Sequence, residues 1–236
     1  MSNSSGTPAT KTKSRPRLAH PEYPLAGIAI AAAGAFALLT GRVAHNQHFF
    51  SDYQRQRRIP RLRGPGQKAA TLLGYAGKDV GIIPLGLAVS AGLWAKGNRG
   101  GAGAVIGAVC AASGLSHVFE LVLPHRTPPP GRRDPLNPSF PSGHALRTSA
   151  LILTASYVLS RESKLDPRVI GGSALLLAGI TGIDRILLDR HWTTDVVAGW
   201  LAGLSVAAIA GGGYEVIARS YPELSRPRRK ARKSGD

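Results

Sequence analysis

Six stretches of the chain are dominated by apolar and small side chains: residues 25–40, 80–95, 101–123, 145–160, 168–188 and 196–217. Each extends to roughly the 20 residues that a helix needs to cross a bilayer. They are rich in Ala and Gly rather than Leu, which suits membrane helices, because small residues let neighbouring backbones approach closely. The pattern predicts an all-α protein, a bundle of six transmembrane helices. Residues 21–217 form the membrane domain, residues 1–20 a basic, disordered N-terminal tail, and residues 218–236 a basic C-terminal tail.

Polar segments punctuate the spans. Residues 41–79 are long and basic, with Arg55, Arg57, Arg58, Arg61 and Arg63. They read either as an interfacial helix with Ile59 and Leu62 turned inward or as a solvated basic loop. Lys96–Gly100 and Arg161–Pro167 are short connections. The Pro-rich stretch Pro124–Pro141 cannot be helical throughout. The last connection runs from Asp184 to Asp195 and is polar.

The mean hydropathy of −0.02 hides the spans because charge collects between them and in the tails. Lys and Arg number 30 against 13 Asp and Glu, a formal net charge of +17. Much of the excess sits at Lys11, Lys13, Arg15 and Arg17, and at Arg219, Arg226, Arg228, Arg229, Lys230, Arg232 and Lys233. Basic flanks of membrane helices attract anionic lipid head groups. No nucleic-acid-binding module is recognisable, so nucleic acid is not an expected partner. Cys110 is the single cysteine and cannot form an intramolecular disulfide. Six spans put both tails on one face. A slight excess of Lys and Arg on that face assigns the tails to the cytoplasm. The long first loop, the Pro-rich stretch and Asp184–Asp195 then share the other, extracytoplasmic face.

Candidate chemistry lies on that second face. Pro141-Ser142-Gly143-His144 leads into the fourth span. A helix start offers unpaired N–H groups and a positive dipole end, both favourable to phosphate. Ser142 adds a hydroxyl, Gly143 permits close approach, and His144 is placed to donate a proton. Further on, Arg185 offers a planar fork for phosphate oxygens. His191 and Asp195 lie four apart, so in the first turn of a helix they share a face. A carboxylate on one imidazole nitrogen would then leave the other to attack. In the third span, His117 and Glu120 read equally as a functional pair and as a mutually satisfied one.

The combination of Pro-Ser-Gly-His with Arg, five residues, His, three residues and Asp resembles the signature of the type 2 phosphatidic acid phosphatase superfamily. The resemblance runs from about Phe119 to Trp200. It implies a metal-independent membrane lipid phosphatase with no cofactor. His191 would be the nucleophile, Asp195 its orienting partner and His144 the general acid. Arg126, Ser142, Gly143 and Arg185 would hold the phosphate. The substrate would be a lipid phosphate or diphosphate. Two departures stand out. The position of the first motif's lysine is Phe119, with Thr127 after Arg126 in place of proline, and Asp184 precedes Arg185 where serine is usual. Lys78, Arg132 and Arg133 are candidates for the missing cation. The departures also suit an alternative, a catalytically impaired relative that binds phospholipid or scaffolds partners. The sequence does not choose an oligomeric state.

Overall fold

The computed structural model describes residues 20–46, 50–60, 62–130 and 138–225. Of the predicted tails, residues 1–19 and 226–236 lie outside the described residues, as do Arg132 and Arg133. The described residues form eight α-helices and one 3-10 turn, without strands. Each of the six apolar stretches is helical. They correspond to α1 (Glu22–His45), α4 (Asp79–Ala95), α5 (Arg99–Val122), α6 (Gly143–Glu162), α7 (Pro167–Leu187) and α8 (Thr193–Ser220).

By length and composition these six helices are not alike. Four helices, α1, α5, α7 and α8, are long and apolar enough to cross a membrane individually. α4 qualifies only together with α3 (Gly64–Ala76), from which it is bent by 61°. α6 is long but too polar, and the reason is its place in the bundle. It packs against α4, α5, α7 and α8, burying His144, Arg147, Thr148, Ser149 and Thr154 among its neighbours. Polar side chains at membrane depth are tolerated where protein rather than lipid surrounds them.

Small residues make this central packing close. A Cβ on Gly199 of α8 would stand 2.5 Å from the Ser142 carbonyl oxygen, and one on Gly203 would stand 2.6 Å from that of Leu146. Glycine at both positions lets α8 lie directly on α6. The interior is built from Ala112, Ala150, Ala202, Val105 and Val109, whereas large side chains point outward: Ile30 is 74% and Leu175 65% exposed. Small residues inside and large apolar ones outside suit a bundle whose solvent is lipid.

Residues 41–79 differ from either reading given above. α1 continues to His45, and α2 (Phe50–Arg58) and α3 follow it. Arg55, Arg57 and Arg58 are exposed, while Ile59 packs on Ala145, Ile186 and Val196. The apolar residue turns inward as expected, but onto protein. At the other end of the bundle, Arg219 donates to both carboxylate oxygens of Glu22 at 2.5 and 2.7 Å. Nearby, Tyr214 of α8 donates to Glu162, the last residue of α6, at 2.6 Å. The described ends of the chain thus meet at the end opposite His144.

Candidate active site

Ser142 caps α6, its hydroxyl accepting from the Ala145 N–H at 3.4 Å. The cap is tied to α8, since the Ser142 N–H donates to the Asp195 carbonyl at 2.9 Å. Two helix starts are therefore held side by side, and the residues flanking them converge. His144 is 8% exposed and lies within electrostatic reach of Arg185, His191, Arg147 and Arg190. Two imidazoles and three guanidinium groups thus share one pocket of positive charge at a helix N-terminus. That arrangement is suited to an anion.

His191 does not lie in the first turn of α8, as the sequence suggested. It precedes the helix, with Trp192 at the cap position. Its Nδ1 is 2.7 Å from the Ser139 carbonyl and 3.9 Å from Asp195 Oδ2. A carbonyl only accepts, so Nδ1 carries the proton and the lone pair of the neutral ring resides on Nε2. The Ser139 carbonyl is thus the nearer contact of Nδ1, with the Asp195 carboxylate behind it. That carbonyl is itself anchored, because the Ser139 N–H donates to the Arg126 carbonyl at 2.9 Å.

Asp195 has a different task. Its Oδ2 accepts the Trp192 N–H at 2.8 Å, capping α8, and its Oδ1 accepts from Arg126 Nη1 at 2.6 Å. Arg126 is fully buried. Nη2 donates to Asp52 of α2 at 2.9 Å and Nη1 to Thr194 at 2.5 Å. The guanidinium stands over the Trp192 ring, 5.4 Å from its centroid, and the indole N–H donates to the Thr127 carbonyl at 2.8 Å. Arg126, expected as a phosphate ligand, thus ties the loop before α6, the start of α8 and α2 together.

Arg185 is 2% exposed. It donates to both oxygens of Asp184 at 2.7 and 2.6 Å, and to the Ala70 carbonyl of α3 at 2.8 Å. The aspartate that stands where serine is usual is therefore neutralised by its own neighbour. The turn into His191 uses Asp189 at φ 52°, a left-handed conformation that aspartate tolerates better than most residues. Gln56 of α2 donates to Asp189 Oδ1 at 2.6 Å and holds this turn.

The elbow between α3 and α4 closes over the site. A Cβ on Gly74 would meet the Arg185 guanidinium, and one on Gly77 would run into the His144 imidazole. Sequence reasoning missed α2 and α3 because they reach the site through a carbonyl, two glycines, Asp52 and Gln56. A lone acid at position 52 in a basic stretch was the available signal. Gly77→Ala should displace the His144 ring and lower activity about 10²-fold, since misplacing a reacting group by an ångström has that scale of effect. Steady-state rates of a folded variant test this. Lys78 faces away, exposed, with its ammonium 4.9 Å from the Tyr75 ring centroid. His117 pairs through Nε2 with Asp79 of α4 at 3.0 Å and through Nδ1 with Glu120 of its own helix at 3.8 Å.

Fold and site together define an integral membrane helical bundle with a histidine- and arginine-lined pocket at one end. Residues 101–213 match the model of the PAP2 superfamily. The chain is 31% identical over 88 residues to phosphatidylglycerophosphatase B of Bacillus subtilis. That match takes in 34% of this chain, and the chain spans 41% of the relative's length. The fold resembles the crystal structure of a transmembrane PAP2-type phosphatidylglycerolphosphate phosphatase from Bacillus subtilis. The TM-score is 0.71, with 21% identity, over 81% of this chain and 98% of that one.

Proposed function

We propose that the chain hydrolyses a lipid phosphate or diphosphate at this pocket through a phosphohistidine intermediate, without a metal ion. The observation that carries the reading is the convergence of His144 and His191 at the N-terminus of α6 among arginines. The phosphoryl group passes from the ester oxygen to His191 Nε2 as the bond to the leaving alcohol, or to the leaving phosphate of a diphosphate, breaks. His144 donates the proton that the leaving group needs. Water then attacks phosphorus, His144 takes its proton, and the N–P bond breaks to release inorganic phosphate. The Ser142 hydroxyl, the first N–H groups of α6 and Arg185 stabilise the oxygens of the transferred group. Such charge stabilisation carries most of phosphoryl-transfer catalysis.

The substrate is an amphiphile whose phosphate sits at head-group level. Phosphatidylglycerol phosphate is favoured by the names of both relatives. Prenyl diphosphate, phosphatidate and prenyl-linked sugar phosphate are chemically compatible. The meeting of Glu22 and Arg219 at the end of the bundle away from His144 supports a reading in which tails and pocket face opposite sides. We assign the tails, with their basic residues on anionic head groups, to the cytoplasm and the pocket to the extracytoplasmic face. Asp195 and Arg126 serve as positioning residues in this scheme.

The test is phosphate release from a panel of these lipids by detergent-purified protein, with and without EDTA. Release unaffected by EDTA is expected. Activity should rise and then fall with pH, because His191 must be neutral while His144 carries a proton. Complete loss in EDTA would overturn the metal-free mechanism. A second reading, a phospholipid-binding relative without activity, draws on Phe119, which stacks on Phe36 at 5.0 Å where a lysine was expected. Turnover of any panel member excludes it.

A further inference from the structure

We infer that Arg147 is a phosphate-binding residue of this pocket, supplying a cation that no signature position provides; the inference rests on the proposed phosphatase reading. Arg147 follows His144 by three residues, so the two share one face of α6. Its side chain is 9% exposed. Its Nε lies 3.0 Å from Asp79 Oδ1 at the start of α4, yet neither of these buried atoms completes a hydrogen bond there. Among the described residues, no group accepts from either Nη. Nη1 stands 3.1 Å from where a Cβ on Gly143 would sit, so the guanidinium lies over the first residue of α6.

A guanidinium in a largely buried side chain, whose Nη donors meet no protein acceptor, is well suited to an anion. The other two buried arginines named above are engaged: Arg126 with Asp52, Thr194 and Asp195, and Arg185 with Asp184 and Ala70. Asp79 faces the Nε edge of Arg147 and is held by His117 Nε2 at 3.0 Å. That contact leaves the Nη edge to the pocket. Phe119 lies in an aromatic stack with Phe36, and Lys78 is turned onto Tyr75. Arg185 spends its Nε and Nη2 on Asp184 and Ala70, so Arg147 adds two Nη groups to the one Nη1 that Arg185 offers a phosphate oxygen beside the helix start.

The test compares wild type, Arg147→Gln and Arg147→Lys by calorimetric titration with inorganic phosphate and by turnover of a lipid phosphate, with His191→Ala as the control. We expect Arg147→Gln to bind phosphate at least about tenfold more weakly and to lose about 10²-fold in kcat/KM, the scale of one oxyanion donor. Arg147→Lys keeps the charge opposite Asp79, so its melting temperature should match wild type. It should bind phosphate with intermediate affinity, because a point charge replaces a fork. Wild-type phosphate affinity in the folded Lys and Gln variants overturns the inference. If Arg147→Gln fails to fold, wild-type affinity in Arg147→Lys alone overturns it. Wild-type protein that binds phosphate through Arg147 but turns over no lipid would overturn the phosphatase reading alone.

Discussion

Replacing His191 with alanine is expected to remove phosphate release from every lipid that the wild-type protein hydrolyses, by at least about 10³-fold, the scale seen when a covalent nucleophile is deleted. The geometry argues for so large an effect. His191 is held by its Nδ1 on the Ser139 carbonyl, a contact that fixes both the ring plane and the nitrogen carrying the lone pair. His144, the second residue of α6, lies instead with its ring against Gly77. Acid quench of the wild-type enzyme with a labelled substrate should trap phosphate on His191, and on no residue in the alanine variant. Retention of more than a few per cent of activity by His191→Ala would sink the covalent mechanism. His144→Ala should instead slow turnover least for the substrates with the most acidic leaving groups, because those need protonation least.

The second large effect is expected at Arg126, and on stability as well as activity. Arg126→Met would leave Asp52 and Asp195, both nearly inaccessible to solvent, without the cation that they share. Breaking a buried ion pair by removing one partner costs about 3–5 kcal/mol, because the remaining charge stays buried. The melting temperature in detergent should fall steeply and activity should disappear with it. Arg126→Lys should not rescue the loss, since one ammonium cannot replace a fork whose two ends reach different carboxylates. Asp52→Asn in the Arg126→Met background should recover part of the stability by removing one orphaned charge. A melting temperature within a degree of wild type in Arg126→Met would overturn the view of this network as the tie between α2, the Pro-rich loop and α8.

Much of the fold was legible in the sequence because membrane helices announce themselves by composition. The six apolar stretches lie within α1, α4, α5, α6, α7 and α8. What composition could not show is that α6 is polar because it is central. Its His144, Arg147 and Thr148 lower its hydropathy for the same reason that they are useful. The candidate site was legible where neighbours in sequence are neighbours in space, as in Ser142-Gly143-His144 and Asp184-Arg185. It was not legible where partners are distant. Arg126 to Asp52 and Arg185 to Ala70 are contacts between segments far apart in the chain. The His191–Asp195 spacing suggested a direct pair, yet the backbone turn before α8 gives the carboxylate to the Trp192 N–H and the imidazole to Ser139.

The elbow of α3 and α4 touches Arg185 and His144 of the pocket with almost no side-chain chemistry of its own. Ala70 contributes a carbonyl, while Gly74 and Gly77 contribute the lack of a Cβ. Most other positions of α3, including the outward-facing Leu72, Leu73 and Tyr75, are therefore at liberty to drift. On the proposed reading, selection on the lipid bound can act on this segment without touching the residues assigned to the chemistry. A lineage could change its substrate by rewriting the roof of the pocket while the floor stays the same.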